Sequence, residues 1–170
     1  MIMSNSCTSN LRLHKKQLIQ LLLATPVIKY SDWKPEQINS TYDLSLKAGV
    51  YHFFEKLENG DIKSIYVGKA SFSIPNQTYK NGWSLYERLK QHFQVKGDGM
   101  LKKYLGYGYE SSSSMKNDFN NRQVYLQWLP LYHKTPSETL DSATCEMQNR
   151  EITFCEHFCV SLLHPEFNDG

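Results

Sequence analysis

Cysteine is scarce in this chain. The four present, at positions 7, 145, 155 and 159, show no CxxC spacing and follow no secretory pattern. A reduced, cytoplasmic protein is the simplest expectation, in place of a disulfide-stapled secreted fold. Charge of one sign is also lacking, since 19 basic residues against 17 acidic ones leave a net charge of +2 and a pI near 8.3. Such a balance admits a polyanionic partner without demanding one. No long apolar run is present. The stretch LIQLLLATPVI, residues 18–28, contains Gln20 and is too short to span a bilayer, so an amphipathic helix is expected there and no membrane partner. Internal repeats are absent as well.

What remains is the profile of a single folded domain. At 170 residues with 40% hydrophobic and 13% aromatic content, the chain is long enough to bury one core without staples.

Local signals divide the chain into elements. Residues 11–24 place apolar side chains among basic ones in helical spacing, ending before Pro26. Residues 29–47 are polar and aromatic around Pro35 and are expected to be irregular, so 1–47 reads as an N-terminal helical and irregular extension. AGVYHFFEK (48–56) and IKSIYVGKA (62–70) are β-branched and aromatic, and Asn59-Gly60 between them favours a tight turn with positive φ, predicting a β-hairpin. A loop over 71–83 follows. Ser84 and Glu87 then form a capping box that opens a helix, with Leu85, Leu89 and Phe93 as its core stripe. Residues 94–122 read as a long irregular insertion that includes Ser111 to Ser114. QVYLQWLPL (123–131) predicts a third strand, and Thr135-Pro136-Ser137-Glu138 predicts the start of a last helix reaching His164. The element order implies an α+β fold, a small three-stranded antiparallel sheet flanked by helices.

Several polar residues fall at the edges of these elements. Tyr51 and Tyr66 sit on the hairpin strands, Lys69 follows Gly68, and Arg88 and His92 stand one helical turn apart beside the core stripe. A glutamate lies late in the chain. Hydrolysis of a phosphodiester needs a group to activate the nucleophile, positive charge for the developing negative charge, and usually a divalent cation held by carboxylate. Each need has a candidate here. A zinc site from Cys155, Cys159, His157 and His164 is the competing metal reading, and two small cysteines on a buried helix face are the ordinary alternative.

This ordered set resembles the GIY-YIG nuclease family. Gly49-Val50-Tyr51 stands for its first motif, Tyr66-Val67-Gly68 for its second with Lys69 following, and Arg88 for the family arginine. Of Glu146, Glu151 and Glu156, only Glu156 has the closing spacing to a proline and Asn168. His92, four residues after Arg88, resembles the type II restriction branch more than the repair branch. The resemblance covers 48–93 and 123–168, and it implies a nuclease domain over 48–170 with loop insertions at 71–83 and 94–122.

The resemblance implies a metal-dependent endonuclease that hydrolyses DNA. Arg88 would hold phosphate bidentately, and Glu156 would be the protein's ligand to Mg²⁺, with Mn²⁺ as a substitute. Tyr51 or Tyr66 would hold or activate the attacking water, provided the site lowers the phenol from its usual range near pH 10 or lets it share its proton with a base, for which His92 is the acceptor. Lys69 would assist the tyrosine or contact phosphate, and Asn168 would pin the C-terminus by bonding backbone near the site. Lys96, Lys102, Lys103, Lys116 and Arg122 form either a DNA-contacting surface or an ordinary solvated loop. The chain ends two residues past Asn168, so recognition of double-stranded DNA is expected from the N-terminal segment and the loops, in a homodimer. Two alternatives stand beside this reading, a repair or structure-specific nuclease and a non-catalytic DNA-binding protein of the same fold.

Overall fold

The computed structural model describes residues 5–75, 82–93 and 111–168. Helix α1 spans Asn5–Leu23 and is followed by a short strand β1 (Val27–Lys29), helix α2 (Pro35–Tyr42), and the hairpin strands β2 (Lys47–Lys56) and β3 (Ile62–Ala70). Helix α3 covers Leu85–Phe93, α4 Ser112–Asn121, β4 Val124–His133 and α5 Ser142–Leu163. The fold is α+β, and its sheet has four antiparallel strands in the order β1-β4-β2-β3. The expected three-stranded sheet is therefore corrected by one strand. β1 is only three residues long and escapes any alternation pattern, yet Ile28 pairs with Leu126 on the edge of β4.

Helices cover both faces. On one, α2, α3 and α4 bury Ile38, Leu85, Leu89, Met115 and Phe119 against Tyr51, Phe53 and Leu126. On the other, α1 and α5 bury Leu22, Cys145, Ile152 and Cys159 against Val50 and Val67. Two-sided burial explains why β2 reads as a nearly continuous apolar run instead of an alternating one. The segment 27–44, set apart above as an extension, supplies β1 and the core residues Tyr30, Trp33, Ile38 and Leu44.

Local signals fared unevenly. The hairpin forms with a five-residue loop, 57–61, in which Gly60 alone takes positive φ (+87°) and Asn59 accepts a bond from the Asp61 amide. The Ser84 box opens α3 as expected, the Ser84 amide donating to Glu87 Oε2 at 3.0 Å. Leu85 and Leu89 are fully buried, and the Phe93 side chain lies outside the described residues. The last helix starts later than Thr135, because that motif closes only a turn (Glu138 amide to Thr135 carbonyl, 3.1 Å). Asp141 is the true cap, accepting from the Thr144 amide at 2.9 Å, and His164 ends the helix in the left-handed region. Within the expected irregular stretch 94–122, residues 112–121 form α4. The serine run is its cap, Ser111 and Ser114 bonding each other's amides. No helix among the described residues is long and apolar enough to cross a membrane.

The face of β2 opposite Tyr51 carries a buried polar trio. His52 Nε2 lies 2.8 Å from Ser64 Oγ, and the Gln127 amide lies 2.9 Å from His52 Nδ1, so one ring joins three strands. Burial pulls His52 from its ordinary value of 6.5 down to about 3. Between those pH values the unfolded chain binds a proton that the folded chain refuses, so the contribution is complete above 6.5 and lost on acidification towards 3. Urea midpoints measured at pH 7 and pH 4 should therefore fall on acidification, and His52→Gln should narrow the gap. An identical gap in the variant would show that His52 does not carry the acid lability.

Candidate active site

Tyr51 lies in the middle of the central strand with its side chain fully buried. Its cross-strand partner is Gly68, and the ring lies across that glycine. A Cβ at position 68 would fall 2.4 Å from both Tyr51 Cζ and Oη and 2.7 Å from Tyr66 Cε1. Glycine here is a condition for the two tyrosines to share the space, with ring centroids 6.1 Å apart.

Helix α3 brings the third ring. His92 stands on the buried side of α3, its centroid 5.2 Å from Tyr51 and 5.7 Å from Tyr66. The Tyr51 hydroxyl and His92 Nε2 are 2.8 Å apart. Burial pushes the Tyr51 phenol up to about 12, against the pull of the Arg88 charge. Burial, helped by the same arginine, takes His92 down to about 3. Both groups are thus neutral near pH 7, and the direction of the hydrogen bond between them follows the tautomer of the His92 ring. Of the two routes considered from the sequence, the lowered phenol is not provided, because desolvation outweighs the nearby cation, which leaves sharing of the proton with His92. Tyr66 is raised too, by burial first and then by the neighbouring Tyr51.

Arg88 lies one turn before His92, with Nη1 donating to Gln91 Oε1 at 3.0 Å. Its positive charge acts on Tyr51, Tyr66 and His92 together.

Lys69 and Glu156 approach from the other face. Lys69 Nζ donates to Thr153 Oγ1 at 2.8 Å and pairs with Glu156 Oε2 at 3.3 Å. Lys69 thus compensates the Glu156 carboxylate at the core boundary. Thr153, three residues before Glu156 on α5, was not foreseen. Its hydroxyl donates back to the Asn149 carbonyl at 2.7 Å and so is turned to accept from Lys69. The Glu156 charge still raises both Tyr51 and Tyr66, so the two groups of residues meet around the edge strand β3.

Asn168 closes that edge. It accepts from the Val67 amide and donates to the Val67 carbonyl, each at 2.8 Å, which is the pinning role the sequence suggested. Tyr51, Tyr66, Arg88, His92, Lys69, Glu156 and Asn168 are thereby gathered around β3. The two described basic residues assigned to DNA contact, Lys116 and Arg122, are not. Arg122 donates to Glu55, Asp118 and Glu166, so its guanidinium belongs to an ion-pair cluster within the fold. Lys116 is on α4, half-buried beside a groove formed with Tyr30 and Trp33. Lys96, Lys102 and Lys103 lie outside the described residues.

Among the described residues no three His, Cys, Asp or Glu side chains converge on a point. Cys155, His157, Cys159 and His164 therefore do not make the zinc site considered above, and burial pushes the Cys159 thiol up to about 12, as in an inert core cysteine.

The Gly68 contact yields a direct test. Gly68→Ala must displace the Tyr51 ring or the strand, at a cost of about 1–3 kcal/mol for overpacking. Denaturant unfolding should show that loss, and an unchanged midpoint would contradict the packing described. Comparison of the chain with family models, with curated proteins and with solved structures finds no match, which leaves the chemistry of the site to its residues.

Proposed function

We propose that the chain is a metal-dependent endonuclease of the GIY-YIG type that hydrolyses phosphodiester bonds of double-stranded DNA. The observation carrying this reading is the 2.8 Å contact between Tyr51 and His92 beside the Arg88 charge. It supplies a proton path next to a fixed cation, which is what attack of water on a phosphodiester requires. The Arg88 and His92 pair favours a type II restriction endonuclease, working in the cytoplasm as a homodimer on a short palindrome.

Water attacks phosphorus as its proton passes to the Tyr51 oxygen and the Tyr51 proton moves to His92 Nε2. A new P–O bond forms while the P–O bond to the leaving sugar oxygen breaks, and that oxygen takes a proton from solvent. A relay of this kind never needs a free phenolate, which the buried site disfavours. Arg88 holds and neutralises the phosphate. Lys69 orients the Glu156 carboxylate and offsets its charge.

A single carboxylate in the site fits an ion that keeps most of its waters and takes further ligands from substrate phosphate, as Mg²⁺ does and Mn²⁺ also allows. Glu156 would hold that ion, which when bound polarises the scissile phosphate.

Burial favours a second reading. Tyr51 is fully enclosed and His92 is 1% exposed, as in an ordinary core hydrogen bond, and the chain would then bind DNA without cutting it. Cleavage kinetics separate the two. Duplex DNA in Mg²⁺ should be cut into discrete fragments, with EDTA abolishing the reaction. Glu156→Ala and Arg88→Ala should each lower the rate by about 10²-fold or more, and cutting at the unaltered rate by either variant would sink the nuclease reading. Tyr51→Phe should slow cleavage by about 10²-fold or more if Tyr51 relays the proton. A variant that loses stability but cuts normally would make the pair purely structural.

A further inference from the structure

The site's edge strand depends on a segment that the reaction does not use. Beyond α5, the chain turns at buried Pro165 and runs along β3. The Glu166 amide donates to the Ser64 carbonyl at 3.2 Å and the Phe167 amide to the Ile65 carbonyl at 2.9 Å. The Phe167 side chain is buried in the same core cluster as Tyr66, and Asn168 takes both backbone groups of Val67. These contacts bracket Tyr66 on either side and stop one residue short of Gly68.

Four residues are a short strip to hold by backbone bonds alone. Its outer end is fixed by charge. Glu166 pairs with Arg122 at 2.7 Å and with Lys63 at 3.2 Å. Arg122, at the C-terminal end of α4, is anchored in turn by Glu55 of β2 at 3.2 Å and Asp118 of α4 at 3.4 Å. The Arg122 and Glu55 side chains are 18% and 17% exposed, so this part of the cluster is sheltered enough to outlast an ordinary surface pair.

The geometry points to Arg122 as a positioning residue: its pairing with Glu166 latches residues 165–168 onto the open edge of β3 and so sets Tyr66 and Lys69 in the site. The effect on activity rests on the nuclease reading, whereas the latch itself does not.

Amide hydrogen exchange tests the latch in the full chain. Arg122→Gln should speed exchange at the Val67 and Phe167 amides by about tenfold while the amides pairing β2 with β4 keep their rates. Arg122→Lys should recover part of the protection. Glu166→Gln leaves Arg122 on Glu55 and Asp118, and it should give the same local acceleration even if Arg122→Gln unfolds the chain. Unchanged exchange at Val67 in Glu166→Gln would overturn the latch. In cleavage assays Arg122→Gln should lower kcat with KM little changed, whereas a raised KM with kcat intact would identify a DNA contact and overturn the positioning role. If the unaltered chain cuts no DNA, the nuclease reading fails and exchange still decides the latch.

Discussion

Strand β2 is enclosed on both faces from Ala48 to Phe54, and every polar group it carries must be satisfied from inside. Within that stretch the two polar side chains, Tyr51 and His52, are adjacent and therefore aimed at opposite faces. His52 meets the demand with Ser64 and Gln127 from the flanking strands. Tyr51 meets it with His92, which comes from a helix. The first solution locks the sheet laterally. The second ties α3 to the sheet and brings Arg88 in with it, one turn away on the same helix.

Crowding follows from the same enclosure. Three rings, Tyr51, Tyr66 and His92, occupy one stretch of the sheet face, and they fit only because Gly68 gives up a side chain. The edge position of β3 then lets residues from both helical layers reach one region. Arg88 arrives over one face, and Glu156 arrives from the other with Lys69 reaching across to it. An edge strand is ordinarily a liability for self-pairing, and here it is covered by residues 166–168, so exposure to other chains is reduced while the site side stays distinct.

Elements governed by short-range chemistry were legible in the sequence. The hairpin, the Ser84 box and the stop at His164 each rest on a few neighbouring residues. Arg88 and His92 share one side of α3 because helical spacing places them so, whereas their meeting with Tyr51, 41 residues before His92, was only implied by the family resemblance. What escaped reading was set by distant partners. β1 is too short to show a period and exists because β4 offers an edge. Thr135 and Asp141 both look like caps, and only packing of Leu140, Cys145 and their neighbours on α1 and the sheet selects the later one. Arg122 looked like one more basic residue for phosphate, since nothing local discloses Glu55, 67 residues away, or Glu166, 44 residues away. The upward shift of the phenol was hidden for a related reason. Neighbouring cations can be counted in a sequence, whereas depth of burial cannot.

Arg88 gives the buried pair its asymmetry. A cation favours loss of the Tyr51 proton and opposes gain of one by His92, and both effects are present. In the proposed relay Tyr51 ends neutral, because it accepts a proton as it gives one up, so only the histidine changes charge. Arg88 by itself therefore works against the proton acceptor. In that relay, a phosphodiester anion seated on Arg88 would cancel much of that opposition and attract the imidazolium directly. Its effect is large because the surroundings are dry. On the nuclease reading, charge sets the order of events: the acceptor becomes competent once phosphate has bound, and without substrate the pair stays an ordinary neutral hydrogen bond.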